Sequence, residues 1–134
     1  MLHFIELYFQ AQLRRRETMK GLVNRIDTVF VEVSDLDHSI KWYSEVLGLT
    51  LRWNRNGYAA FTVGETSLTL VHSANVIPAK HSPFNFFTTN IDAVHQFLVE
   101  NKVDMEDIAD YEDIRTFDFK DPDGHILGFC QFDE

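Results

Sequence analysis

Six His residues, one Cys and the run Asp121-Pro122-Asp123-Gly124 are the first groups of this chain to weigh for metal ligation, nucleophilic attack or acid–base work. A divalent metal centre needs three or four converging His, Cys or carboxylate donors. His38 and His95 fall in helical stretches. His125 follows a turn and is expected to be exposed, and His72 ends a strand with its parity away from any cleft. The Asp-Pro-Asp-Gly run has turn composition: Pro fixes φ, and Gly supplies a conformation that other residues resist. No Gly-rich phosphate loop is present. Cys130 reads as a small buried apolar residue of the last strand; the competing reading, a reactive thiol, requires an electropositive surrounding. The most informative residues are instead Ser34-Asp35-Leu36-Asp37-His38-Ser39-Ile40-Lys41-Trp42-Tyr43, closing with Leu47-Gly48-Leu49. They matter for what they position.

Val29, Val31 and Val33 alternate with Thr28, Phe30 and Glu32, the period of a strand with two different faces. Ser34 or Asp35 caps a following helix, in which Ile40, Tyr43, Val46 and Leu47 form an apolar stripe that would cover a sheet. Gly48 stands where a left-handed C-terminal cap belongs. Leu49 to Trp53 reads as a strand, Asn56-Gly57 as a two-residue hairpin turn, and Tyr58 to Val63 and Ser67 to Val71 as two further strands. A linker spans roughly 73–81, and the order then repeats. Phe84 to Thr88 is a strand, and Asn90 caps Ile91 to Glu100 with Val94, Phe97 and Leu98 facing inward. Short acidic segments follow, then strands over Arg115 to Lys120 and His125 to Gln131. A shift of 55 residues lays Ser34-Asp35-Leu36-Asp37 on Thr89-Asn90-Ile91-Asp92 and Trp42-Tyr43 on Phe97-Leu98. The identities have drifted and the residue classes have not, as in a structural duplication.

A chain of 134 residues that is 45% hydrophobic, with twelve Phe, suits one domain with a packed or aromatic-lined interior. A net charge of −9 argues against a nucleic-acid partner, which needs a basic face. No apolar run approaches the roughly 20 residues that span a bilayer, so no membrane partner is expected. A single Cys fits a reducing cytoplasm. Residues 1–20 differ from the rest, with Arg14-Arg15-Arg16-Glu17 shortly before Met19. They read as an N-terminal extension of different origin, Met19 being an alternative start. The competing reading is a helix with Ile5, Tyr8 and Phe9 as its apolar face.

The pattern V-x-D-L-x-x-S-I-x-W-Y-x-x-x-L-G-L over Val33 to Leu49, with F-x-D-P-D-G over Phe119 to Gly124, resembles the vicinal oxygen chelate superfamily. That group includes glyoxalase I, bleomycin-resistance proteins, fosfomycin-modifying enzymes and extradiol dioxygenases. The resemblance covers roughly 24–132. It implies an α+β fold of two βαβββ modules, 24–73 and 82–132, forming a U-shaped sheet around a cleft within a single domain over 21–134. It also implies a homodimer. Metal-using relatives would place ligands where this chain has Thr28, Thr69, Pro83 and Gly128, none of them an imidazole or carboxylate. His81 with Glu32 is the thin alternative, a displaced site lacking two further ligands. No cofactor is expected.

The resemblance thus implies metal-independent binding of a small organic molecule, as in bleomycin-resistance proteins. By strand parity its cleft would be lined by Thr28, Phe30, Glu32, Trp53, Thr69, Val71, Asn85, Phe87, Gly128 and Cys130. Phe30 and Phe87 would offer stacking surface. Glu32 would be the one buried-leaning charge, met by a cationic ligand or by a neighbour such as Arg115. Two alternatives stay open: a glyoxalase-like lyase or isomerase, or other metalloenzyme, with a displaced metal site, and a regulatory module whose cleft is filled by its own side chains. The residues name no reaction.

Overall fold

The computed structural model describes residues 3–7 and 18–134. Residues 3–7 are helical and exposed. Of the helix proposed for the N-terminal segment, Ile5 is among them, and Tyr8 and Phe9 lie outside the described residues. From Thr28 onward the chain runs β1 (Thr28–Val33), α1 (Leu36–Glu45), β2 (Thr50–Arg55), β3 (Tyr58–Val63) and β4 (Thr66–His72). It continues through β5 (Asn85–Phe87), α2 (Ile91–Glu100), β6 (Ala109–Asp110), β7 (Arg115–Lys120) and β8 (Ile126–Gln131). This is βαβββ twice. The sheets are four-stranded and separate, ordered β1-β4-β3-β2 and β5-β8-β7-β6, with β1 parallel to β4 and β5 parallel to β8.

Local chemistry sets the element ends. Asp35 and Asn90 cap the two helices by accepting from the backbone N–H groups of His38 and Ala93. The Asn56-Gly57 turn has φ of 52° and 81°, the twofold positive pair of a tight hairpin. β2 carries an irregularity: Leu51 pairs with Phe61 and Trp53 with Ala60, so Arg52 is an extra residue in the strand.

The inner faces of both sheets and both helices share one core. Val31, Val33, Tyr43, Phe61, Leu68 and Leu70 supply the first half; Phe86, Ile91, Leu98, Phe117, Phe119 and Leu127 supply the second. The Phe excess is spent mainly on the second half. There Phe84, Phe86, Phe117, Phe119 and Phe129 form a continuous set of ring contacts, and Trp42 of α1 stacks on Phe119 at 6.4 Å. Phe97 departs from expectation. It is 46% exposed, because the helical stripe that meets the sheet is centred on Ile91 and Leu98.

The two motifs of the chain meet at the seam between the halves. Tyr43 Oη donates to Asp121 Oδ2 at 2.8 Å, with both side chains buried. Asp121 Oδ1 accepts from the N–H groups of His125 and Asp123 at 2.8 and 3.1 Å, and Asp123 accepts from the Ser34 N–H at 3.2 Å. His125 is only 6% exposed, against expectation. Its Nδ1 accepts from the Ala79 N–H at 3.0 Å, so Nε2 carries the proton and donates to the Glu32 carbonyl at 2.7 Å. The turn is thus also a connector: Gly124 closes it with φ +83°, and that directs His125 back across β1.

Candidate functional site

With Val31 and Val33 committed to the core, Thr28, Phe30 and Glu32 must face the other way, onto the open side of the first sheet. Strand register then builds a row across all four strands: Phe30, Thr69, Ala60 and Trp53. The small Ala60 between larger neighbours gives this row depth. A cavity of about 500 Å³ opens there. Its floor is buried Ala60, Ser67 and Thr69; its walls are Thr28, Phe30, Trp53 and Tyr58; Arg52 and Asp27 stand at its edge.

The polar groups of the floor form a short relay. Thr69 Oγ1 and Thr28 Oγ1 are 2.7 Å apart, and the Thr28 hydroxyl donates to the Ser67 carbonyl at 3.0 Å, so Thr69 donates to Thr28. Arg52 Nη1 donates to Ser67 Oγ at 2.7 Å. Asp27 pairs with Arg25 at 3.5 Å. Arg55 lies over the Trp53 ring at 5.2 Å.

The expected lining residues divide. Thr28, Phe30, Trp53 and Thr69 surround this cavity. Glu32 and Val71 lie on the same sheet face one row further along, in line with Tyr58 and Arg55, and do not line it. Glu32 is exposed rather than buried-leaning, since β1 leaves that face uncovered. Arg115 does not serve it: that side chain is held by Asp92 and Asp110, and its hydrogen bonds keep the Asp92 carboxyl below its ordinary range. Asn85 and Phe87 border a second cavity, of about 280 Å³, beside Ile26, Val29 and Val63. Gly128 faces Asn85 and Asp118: an added Cβ would sit 2.4 Å from Asn85 Oδ1 and 3.0 Å from Asp118 Oδ1. Cys130 is buried and burial pushes its thiol up, away from the reactive thiolate.

Arg52, Tyr58, Ala60 and Ser67 were not foreseen. Tyr58 and Ala60 have the right alternation along β3, a signal available from the hairpin turn. Arg52 had none, because a strict period of two assigns Arg52 and Trp53 to opposite faces. The extra residue in β2 brings both to the cavity.

At the four positions where metal-using relatives would carry ligands, Thr28 and Thr69 bond to each other, and Pro83 and Gly128 bring no side-chain donor. Among the described residues no three His, Cys, Asp or Glu side chains converge. His81 and Glu32 are both exposed. No described helix is long and apolar enough to cross a membrane.

The profile of the Glyoxalase/Bleomycin resistance protein/Dioxygenase superfamily matches residues 25–129. The chain is 32% identical over 116 residues to the metallothiol transferase FosB of Lysinibacillus sphaericus, covering 80% of this chain and 82% of that one. Among solved structures, a glyoxalase family protein of Bacillus anthracis superposes with a TM-score of 0.77 at 22% identity, over 86% of this chain and all of the other. TnmS3, an antibiotic binding protein of a Streptomyces species, superposes with a TM-score of 0.74 at 24% identity, over 83% and 98% of the two chains. With the doubled βαβββ order, these similarities show that the chain belongs to the glyoxalase/bleomycin resistance protein/dioxygenase superfamily.

Proposed function

We propose that this protein binds a small organic molecule, without a metal, in the cavity on the open face of the first sheet. One observation carries the reading: the row Phe30–Thr69–Ala60–Trp53 makes a recess with two aromatic walls and a buried hydroxyl at its floor. Sites for small molecules combine an apolar lining with a few placed polar groups in this way. A flat aromatic body would lie between Phe30, Trp53 and Tyr58, and its polar edge would meet Thr69 and Ser67. Phe30 is 60% exposed, so its ring has open area to offer at the cavity wall.

Both the similarity to a metallothiol transferase and the superfamily raise the question of a divalent ion. The residues do not fit one. Thr28 and Thr69 offer neutral hydroxyls bonded to one another, Pro83 and Gly128 offer no side-chain donor, and an imidazole or carboxylate is missing from all four positions. No step of binding is routed through a metal. Binding, not turnover, is the reading the donor chemistry supports. A cationic substituent would have to extend past Phe30 to reach Glu32.

We also propose a homodimer. The open faces of the two sheets do not cover one another in a single chain, and both Phe30 and Phe87 are left exposed. A second copy would bring one face over the other and place Asn85, Phe87, Gly128 and Cys130 opposite the cavity. The single buried thiol fits a reducing compartment.

A calorimetric screen of fused-ring aromatic compounds tests the binding reading. Hits should weaken at least about tenfold in Ala60→Leu, which fills the recess and removes some 1.4 kcal/mol or more of binding. Hits that bind Ala60→Leu as well as the natural chain would place the ligand elsewhere.

A further inference from the structure

Resting on the reading of this cavity as a ligand site, we infer that the molecule it takes carries an anionic oxygen group, such as a carboxylate, which Arg52 receives. Residues 51 and 53 pair with consecutive partners, Phe61 and Ala60, so β2 contains one residue too many. Regular alternation would send Arg52 to the face opposite Trp53. The bulge brings both to the same cavity, and bulges re-aim side chains in this manner.

Once there, Arg52 is held but not neutralised. Its Nη1 donates to the hydroxyl of buried Ser67 at 2.7 Å. No carboxylate lies within ion-pair distance of it among the described residues, although Asp and Glu outnumber Lys and Arg by 21 to 12 in the chain. Asp27, the one acid at the cavity edge, is paired with Arg25. Arg55, held over Trp53, adds a second positive charge on the same side. A guanidinium has five N–H donors in a planar fork, and one contact to Ser67 leaves a pair able to meet the two oxygens of a carboxylate. The buried Thr69 hydroxyl shares the floor with Ser67 and is spoken for as a donor by Thr28; it can only accept. The Ser67 and Tyr58 hydroxyls can also donate there, but Arg52 is the one lining residue with a positive charge, and the aromatic walls receive the rest of the molecule.

The test uses the full chain and matched probes: fused-ring aromatic acids, the corresponding primary amides, and the corresponding amines, each titrated calorimetrically at low and high salt. The acids should bind about tenfold to a hundredfold more tightly than the amides, as a charged hydrogen bond contributes, and the amines least well. Arg52→Gln should remove the preference by weakening the acids about tenfold to a hundredfold and the amides less, and Arg52→Lys should restore part of it, a point charge without the fork. Equal binding of acids and amides, or a preference that survives Arg52→Gln, overturns the assignment of an anion to Arg52 and leaves the cavity as a binding site. Failure of every acid, amide and amine to bind overturns the binding site itself, and the anion with it.

Discussion

The seam between the two halves and the open face of the first sheet are built by opposite rules. At the seam every polar group is answered. Tyr43, Asp121, Asp123 and His125 exchange hydrogen bonds with one another and with the backbone of the other half, and no described buried side-chain nitrogen or oxygen lacks a partner. On the open face, an aromatic ring is left to solvent and an arginine is left without an acid. The seam uses charge and hydroxyl to fix one arrangement of two modules. The face keeps apolar area and hydrogen-bonding capacity unspent, and unspent capacity is what binding requires. Substitutions should therefore separate: those at the seam should move stability and those on the face affinity.

The largest expected effect is at the seam. Asp121→Ala leaves the buried Tyr43 hydroxyl and the N–H groups of His125 and Asp123 without an acceptor, and should lower the unfolding free energy by about 3–5 kcal/mol. Urea denaturation measures it, and a loss below about 1 kcal/mol would mean that the network is ornamental. Tyr43→Phe keeps the ring and removes the donor, so a smaller loss of about 1–3 kcal/mol should follow. On the face the pattern reverses. Phe30→Ala should change stability by no more than about 0.5 kcal/mol, since the ring is mostly exposed, yet weaken an aromatic ligand by about 1–3 kcal/mol. Equal losses of stability and affinity in that variant would erase the distinction between the two regions.

A finer separation comes from pH. Burial raises the Asp121 carboxyl above its ordinary value of 3.8, so the folded chain holds that proton to higher pH than the unfolded chain does. The resulting stability is fully present below the ordinary value and is lost as pH rises through the folded one. Asp121→Asn titrates nothing at this position. It should therefore gain on the natural chain as pH rises from below 3.8 toward neutrality, in paired denaturation curves. A gap that stays constant, or moves the other way, would mean that burial does not raise this carboxyl.

Much of the frame was legible because local rules and the hydrophobic period agree. α2 and β3 fall where spacing puts them, and Asn56-Gly57 turns as its composition demands. The short β5 and two-residue β6 were hard to delimit, since a few extended residues carry too little period to count. His125 was misjudged for a different reason: a residue after a turn is exposed by default, and only the long-range return of that turn onto β1 buries it. The lining of the cavity on the first sheet was half legible. Parity along β1 and β4 assembled Thr28, Phe30 and Thr69, and the bulge in β2 hid Arg52, because one inserted residue resets the alternation without any mark in composition. Residues of the second half were joined to the first because the two modules were read as sharing one cleft. Each module carries its own four-stranded sheet, and within the chain Asn85 and Phe87 border a cavity of their own.

The central claim, metal-free binding on the open face of the first sheet, is tested most directly by calorimetric titration of the best aromatic ligand in excess chelator and again with zinc, nickel or manganese added. The predicted result is one affinity throughout, within about twofold, because Thr28 and Thr69 bring hydroxyls where a divalent ion needs imidazole or carboxylate. Binding that disappears in chelator and returns with about one equivalent of metal per chain would contradict it.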